Sequence, residues 1–346
     1  FTPDGKSIVF GARNAGRAEA WSTNFDLFVA PADGSAAPRN LTPGNPAWDA
    51  FPAFSPDGRT LAYTAMQRAG YEADRFRIVV RSWPDGAERV LTESWDRSAS
   101  DLTWSPDGRT LFATADHLGN RALFAIDVAT GTVRPVVSRG HVTAPQVNGQ
   151  RLVYLLDSLQ GPAELHSVRA DGAAVMALTR INEARLAGLR LGAAEQITFQ
   201  GAGGDTVHAW VVKPVDFDPA GKYPVAMLIH GGPQGSFGDQ FHYRWNPQPY
   251  AGAGHVAVGG QIDFGVEFRD RRGAIGAAAQ VMRQRRLRGV QPVAHAVPAR
   301  VEMRAWLAIL QVPVHDVVQH GVEAGVAHIR VLRQVPGGVE VVVRPP

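Results

Sequence analysis

Apolar and polar positions alternate in short runs through the first half of the chain, and the runs are punctuated by Pro, Asp and Gly. Three segments align with one another: Phe1–Phe10 (FTPDGKSIVF), Phe54–Tyr63 (FSPDGRTLAY) and Trp104–Ala113 (WSPDGRTLFA). Each opens on an aromatic residue, passes through Ser/Thr-Pro-Asp-Gly and enters a strand-like run. Pro presets φ in such a turn, Asp bonds back to the backbone and Gly accepts a positive φ, so each segment predicts strand, tight turn, strand. A second hairpin pattern follows each of them, at Leu27–Thr42, Ile78–Thr92 and Leu123–Val137. A fourth copy, Leu165–Thr179, comes after a weaker first hairpin around Arg151–Leu156. Two hairpins per repeat make four strands, and the spacing of 50 to 53 residues predicts blades of a β-propeller rather than a solenoid or a sandwich. About four blades are expected, the first incomplete. Because an open arc leaves sheet edges unpaired, further blades are expected on the N-terminal side.

Around Gly188–Glu195 this pattern stops. Ile197–Pro214 predicts two strands about a Gly-rich turn, and Val225–Ile229 is a continuous apolar run of the kind that forms a buried strand. That run ends in His230-Gly231-Gly232-Pro233. A strand running into His-Gly-Gly is an oxyanion-hole signature of α/β-hydrolases, since glycine lets a backbone N–H approach a developing negative charge. A plain Gly-Gly-Pro turn fits the same four residues equally well.

Longer stretches change that balance. WSTNFDLF at Trp21–Phe28, the run Asn40–Gly58, GYEADRF at Gly70–Phe76, the run Trp95–Gly108 and the whole of Thr198–Gly254 resemble the prolyl oligopeptidase family of serine peptidases. Within it they are similar to the acylaminoacyl-peptidase and dipeptidyl-peptidase V type enzymes. The resemblance covers residues 1–254 and implies a propeller capping an α/β-hydrolase domain, with the active site in the cavity between them. It implies removal of a dipeptide or an acylated residue from the N-terminus of a short peptide, by a serine nucleophile, a histidine base and an orienting aspartate. No cofactor is implied. Gly232, with Gly231 beside it, takes the oxyanion-hole position by this resemblance.

After Gly254 the resemblance ends. No Gly-x-Ser-x-Gly occurs anywhere, and no Ser or Thr follows Ser236. Residues 255–346 also lack Lys, Tyr, Asn and Cys, while Val fills 20 of their positions. This is the composition that a shifted reading frame of a GC-rich gene produces, so a frame error near Gly254 is expected. The expected organisation is a partial β-propeller of about four blades at 1–187, the start of an incomplete α/β-hydrolase domain at 188–254 and an atypical tail at 255–346. Within the tail, residues 277–288 suggest a helix and Val339–Val343 a strand.

Net charge is +3, with 12 arginines against 7 acidic residues in the tail. RQRRLR at Arg283–Arg288 lacks aromatic interleaving and a nucleic-acid fold, so a solvated charge run is expected and no nucleic-acid partner. No run reaches the ~20 apolar residues of a membrane helix. His315 and His320, with Asp316 between them, miss the i,i+4 spacing of two ligands on one helical face, and no metal site is expected. Ser236 follows the oxyanion turn instead of a strand-to-helix elbow, so it is not expected to be the nucleophile; His230 is expected to be structural. Glu72 and Asp74 are weak candidates for the free amine of a peptide. The blander alternative, preferred here, is a surface loop whose carboxylates pair with Arg75 and Arg77. The chain is therefore expected to resemble a serine exopeptidase for short peptides while lacking the nucleophile. A non-catalytic propeller scaffold or stand-alone binding module is the alternative.

Overall fold

Each Ser/Thr-Pro-Asp-Gly segment forms the tight turn that its sequence predicts; the copies at Ser55 and Ser105 each join two paired strands, while the copy at Thr2 leads into a single strand. In the computed structural model, which describes residues 1–201, 204–231, 235–260, 330–335 and 338–342, Gly5, Gly58 and Gly108 have φ of 70°, 69° and 67°. The Asp one residue earlier accepts from the backbone N–H of Lys6, Arg59 and Arg109 at 3.0–3.1 Å. The residue opening each motif donates its hydroxyl to the same carboxylate: Thr2 at 2.7 Å, Ser55 and Ser105 at 2.6 Å.

The strands build four antiparallel meanders. The first is three-stranded, β1 (Ser7–Ala12), β2 (Asp26–Pro31) and β3 (Arg39–Asn40). The second holds β4 (Asp49–Phe54), β5 (Thr60–Ala65), β6 (Arg77–Ser82) and β7 (Glu88–Val90). The third runs β8 (Ser100–Trp104), β9 (Thr110–His117), β10 (Asn120–Asp127) and β11 (Val133–Val137). The fourth runs β12 (His141–Asn148), β13 (Arg151–Ser158), β14 (Gly161–Arg169) and β15 (Met176–Ala177), and one parallel pair, Arg121 with His141, joins it to the third. The weak hairpin of the fourth repeat turns at Gly149, with φ 59°, so Asn148-Gly149 does there what Pro-Asp-Gly does elsewhere.

Apolar faces of successive meanders pack on one another. Leu27 and Leu41 of the first meet Leu61, Tyr63 and Val79 of the second. Ile78, Val80 and Leu91 then meet Trp104, Leu111 and Phe124 of the third. Phe112 and Leu123 meet Leu152, Tyr154 and Val168 of the fourth. Along the outer strands a series of arginines crosses the same boundaries. Arg39 reaches Asp85 at 3.1 Å, Arg89 donates to Val128 O at 2.5 Å and Arg134 donates to Ala170 O at 2.7 Å.

A threonine closes the second hairpin of three repeats, in a role the sequence reading missed. The hydroxyl oxygens of Thr42, Thr92 and Thr179 accept the N–H of Leu27, Ile78 and Leu165 at 2.8–3.0 Å. Thr92 is 1% exposed, so the amide has no access to water there. Replacing Thr92 with the isosteric Val strands a buried donor and is expected to cost about 1–3 kcal/mol, read as a lower midpoint in urea unfolding; an unchanged midpoint would contradict the role. A second recurrent feature is a bulge in the first strand of three meanders. Phe51, Asp101 and Ala144 have φ of 53°, 51° and 49°, at register shifts in β4, β8 and β12.

After the short helix α1 (Glu183–Leu186) the chain forms a separate sheet from β16 (Ala194–Gln200), β17 (Thr206–Val212), β18 (Val225–Met227) and, past helix α2 (Gln248–Gly252), β19 (Val256–Gly260). Its order is β16-β17-β19-β18, with β19 antiparallel to β17 and parallel to β18. The expected hairpin at Ile197–Pro214 is β16–β17. The apolar run Val225–Ile229 gives a shorter strand than expected, and its residues 225–227 are half-buried. The reason is position: β18 ends the described sheet, so one of its edges has no described neighbour. Residues 256–260, within the segment expected to be an atypical tail, form a paired strand, because Val256, Ala257 and Val258 are buried at 8% exposure or less against this sheet.

By contact density the chain divides into units 1–292 and 293–346. The second contains a hairpin of β20 (Arg330–Val335) and β21 (Gly338–Val342), where a strand was expected at Val339–Val343. The expected helix at 277–288 and the pair His315 and His320 lie outside the described residues.

Candidate functional site

Beyond β18 the chain keeps its place beside β19, since the Leu228 N–H donates to Val258 O at 2.8 Å, and then turns at His230-Gly231. A Cβ on Gly231 would meet nothing within 4 Å among the described residues. Gly232, the other predicted oxyanion residue, lies outside the described residues. The His230 Nδ1–H donates to Gly231 O at 2.9 Å, while Nε2 is buried without a hydrogen-bond partner among the described residues. The ring of Phe237 stands edge-on to that imidazole, 6.0 Å between centroids at 74°. A Cβ on Gly235 would come within 3.0 Å of His230 Nδ1, so a bare glycine is what lets this segment pass the imidazole.

Ser236 sits on that passing segment. Its Oγ is buried with no hydrogen-bond partner among the described residues, and the next residue, Phe237, donates its N–H to Gly260 O at 3.3 Å. No helix follows until Gln248. The strand-to-helix elbow that exposes a nucleophilic serine is therefore missing at Ser236, as is a hydrogen-bonded base. Among the described residues no cluster of three or more His, Asp or Glu is arranged to hold a metal.

Turns of the third and fourth meanders bond to this sheet and the segment beside it. At the β9–β10 turn, Leu118 O accepts from Gln196 Nε2, and Gly119 O accepts from Trp210 Nε1 at 2.7 Å and from the Asp239 N–H at 2.9 Å. At the β13–β14 turn, the Leu159 N–H donates to Asp239 Oδ1 at 2.8 Å, and Leu159 O accepts from Gln248 Nε2 at 3.0 Å. Gln248 is 7% exposed and also takes the Gly192 N–H at 2.7 Å. One strand earlier, Asp157 Oδ1 accepts the Phe241 N–H at 2.6 Å and its Oδ2 pairs with His141 Nδ1 at 2.9 Å. Burial raises the Asp239 pKa above the usual carboxylate range, and the charge of Asp157 adds to that. A small apolar recess lined by Leu159, Trp210, Leu228, Phe237 and Trp245 lies at this junction.

Glu72 and Asp74 occupy the β5–β6 connection, which by meander topology emerges at the same ends of the sheets as the β9–β10 and β13–β14 turns. The carboxylate of Asp74 accepts the N–H groups of Gln67 and Arg68 at 2.7 and 2.6 Å. Burial alone would raise its pKa, but these backbone bonds lower it on balance. Asp74 thus braces its own loop. Arg75 and Arg77 reach Glu93, at 3.9 and 3.0 Å, Arg75 also donates to Thr92 O at 3.1 Å, and the charge of Arg77 helps to lower the Asp74 pKa. They reach Glu93 because the strand that follows the loop runs beside the 92–95 turn, whose carbonyls and carboxylate lie within reach. Nothing in the local sequence flagged Asp157, Asp239 or Gln248, since the bonds that join them to Phe241, Leu159 and Gly192 span 56 to 89 residues.

No protein-family model matches the chain. It is 35% identical over 290 residues to the dipeptidyl-peptidase 5 of Arthroderma otae, covering 78% of this chain and 40% of that protein. To the dipeptidyl-peptidase 5 of Porphyromonas gingivalis it is 30% identical over 260 residues, covering 75% and 38%. Among solved structures, an acylaminoacyl peptidase in complex with Z-Gly-Gly-Phe-chloromethyl ketone superposes with a TM-score of 0.59 at 21% identity, over 73% of this chain and 38% of that one. Porphyromonas gingivalis dipeptidyl peptidase 4 gives 0.54 at 21% identity, over 78% and 40%. The chain spans about two fifths of the length of the curated relatives it matches.

Proposed function

The chain belongs to the prolyl oligopeptidase family of serine peptidases, and from that we propose that it carries the substrate-gating sheets and the oxyanion turn of an exopeptidase for short peptides. The observation that carries this reading is the turn His230-Gly231 beyond the carboxyl end of β18, in a domain whose Trp210 and Asp239 bond to the meander turns at Gly119 and Leu159. On this reading the four meanders are blades of a partial β-propeller. The β16-β17-β19-β18 sheet is the start of an α/β-hydrolase domain, in which ligands gather outside the carboxyl ends of parallel strands.

The family reaction breaks a peptide or acyl–amine bond. A serine oxygen adds to the carbonyl carbon, a histidine takes the serine proton and returns it to the leaving amine, and water then releases the acyl group. Gly232 and Gly231 would supply backbone N–H groups to the tetrahedral oxyanion. Glu72, with Asp74 bracing its loop, would meet the substrate's free amine from the meander side. A removed dipeptide or a removed acylated residue suits this site equally. Neither step calls for a cofactor.

The chain as it stands has the oxyanion turn without a nucleophile: no Ser or Thr follows Ser236, and Ser236 has neither elbow nor base. That favours a second reading, a non-catalytic scaffold with the same sheets. Labelling of the full chain with a fluorophosphonate, followed by peptide mass mapping, separates the two. No labelled serine is expected; a labelled Ser236 would restore catalysis to this chain.

A further inference from the structure

Residues 237–241 have one partner at the end of the second sheet and three on the meanders. Phe237 N–H reaches Gly260 O at 3.3 Å, at the end of β19. Asp239 N–H reaches Gly119 O at 2.9 Å, Asp239 Oδ1 takes the Leu159 N–H at 2.8 Å and Phe241 N–H reaches Asp157 Oδ1 at 2.6 Å. Between these anchors the ring of Phe237 stands against the His230 imidazole. A continuous series of contacts therefore runs from the third and fourth meanders, through one short segment, to the first residue of the His230-Gly231 turn.

The chemistry at the meander end is suited to holding position. Side chains of Asp157 and His141 are only 10% and 19% exposed, so their pairing is little screened by water. Both Asp157 oxygens are used, one on the imidazole and one on the Phe241 amide, which fixes the carboxylate in plane and in depth. Charged acceptors make shorter and stronger bonds to backbone N–H groups than neutral ones do. A displacement of the Phe241 amide is opposed by the fourth meander, and the displacement of Phe237 that would follow is opposed with it.

We propose that Asp157 and Asp239 are positioning residues, through which the fourth meander sets the place of the His230-Gly231 turn. The meanders then do more than screen substrates by size; they help to hold the groups that would face the reacting carbonyl. This rests on the oxyanion reading of that turn for its significance, although not for its physical content.

The test uses the full chain labelled with ¹⁵N-histidine, together with hydrogen exchange. Asp157→Ala is expected to speed exchange at the Phe241 amide by about tenfold and to move the His230 ring resonances. Asp157→Asn keeps an acceptor for that amide and is expected to restore both. If Asp157→Ala changes Phe241 exchange and leaves His230 where it was, the proposal fails. Phe237→Leu guards against a variant that does not fold: it should move the His230 resonances while Phe241 stays protected, and no movement would again overturn the idea. Fluorophosphonate labelling is read separately, so a catalytic serine in this chain would overturn the reaction assignment without touching this result.

Discussion

Leu123→Ala is expected to cost the chain about 2–5 kcal/mol, while Leu165→Ala, at the same place in the next repeat, is expected to cost about 1 kcal/mol or less. Both leucines open the second hairpin of their repeat, as Leu27 and Ile78 do in theirs. Leu27, Ile78 and Leu123 are each 0% exposed, whereas Leu165 is 38% exposed. The difference lies in what comes next. The third meander presents Phe112 and Leu123 to the fourth, which covers them with Leu152, Tyr154 and Val168. Leu165 and Leu178 face outward from the fourth, and Leu178, at 47%, compares with 4% and 6% for Leu41 and Leu91 at its equivalent positions. Deleting a covered side chain leaves a cavity that the close-packed faces cannot fill, and this adds to the lost transfer energy. At Leu165 water fills the space. Urea unfolding of the two variants beside the parent chain measures the contrast. Equal costs would mean that the outer face of the fourth meander is covered in solution.

A comparably large effect is expected with pH, and Asp49 is its source. Its side chain is 0% exposed, and Oδ1 accepts from Asn45 Nδ2 at 2.7 Å. Burial pushes its pKa up to about 7, against the pull of Asn45 and Thr42 and with a further push from the charges of Asp26 and Glu88. In the unfolded chain an aspartate releases its proton near pH ~3.9. Between those two values the folded chain holds a proton that the unfolded chain has given up. Stability contributed by this group is therefore complete below about pH 4, falls as pH rises and levels off above about 7. The whole change is on the order of 4 kcal/mol. Asp49→Asn removes the ionisation and is expected to flatten the slope of unfolding free energy between pH 5 and 7, measured in urea at several pH values. A variant with the parent's slope would place the titrating group elsewhere.

Legibility in the sequence followed the distance over which each feature is encoded. Thr2-Pro3-Asp4-Gly5 and its two copies carry their whole turn within five residues, so these turns could be read directly. Thr42 and Thr92 escaped because threonine at the end of a strand is favoured for its branched side chain alone, and nothing local separates that from a hydroxyl capping an amide 14 or 15 residues away. The bulges at Phe51, Asp101 and Ala144 escaped because none is marked by glycine. The His230-Gly231 turn was visible as the end of an apolar run. Its support was not: Asp157 meets Phe241 across 84 residues, and only the packing of one sheet on another brings them together.

The arginines that cross from one meander to the next lead to a different kind of consequence. Arg89 and Arg134 bind main-chain carbonyls, Val128 O and Ala170 O, and every residue type offers that acceptor. A neighbouring repeat can exchange nearly all of its side chains and still be gripped. Such a contact asks only that another repeat be present and rightly spaced, so copies arising by tandem duplication are held from the moment they appear and are free to diverge afterwards. Arg39, which pairs with the Asp85 carboxylate, has given up that indifference; the boundary it spans is the one where a change of partner would have to be matched by a change on the other side.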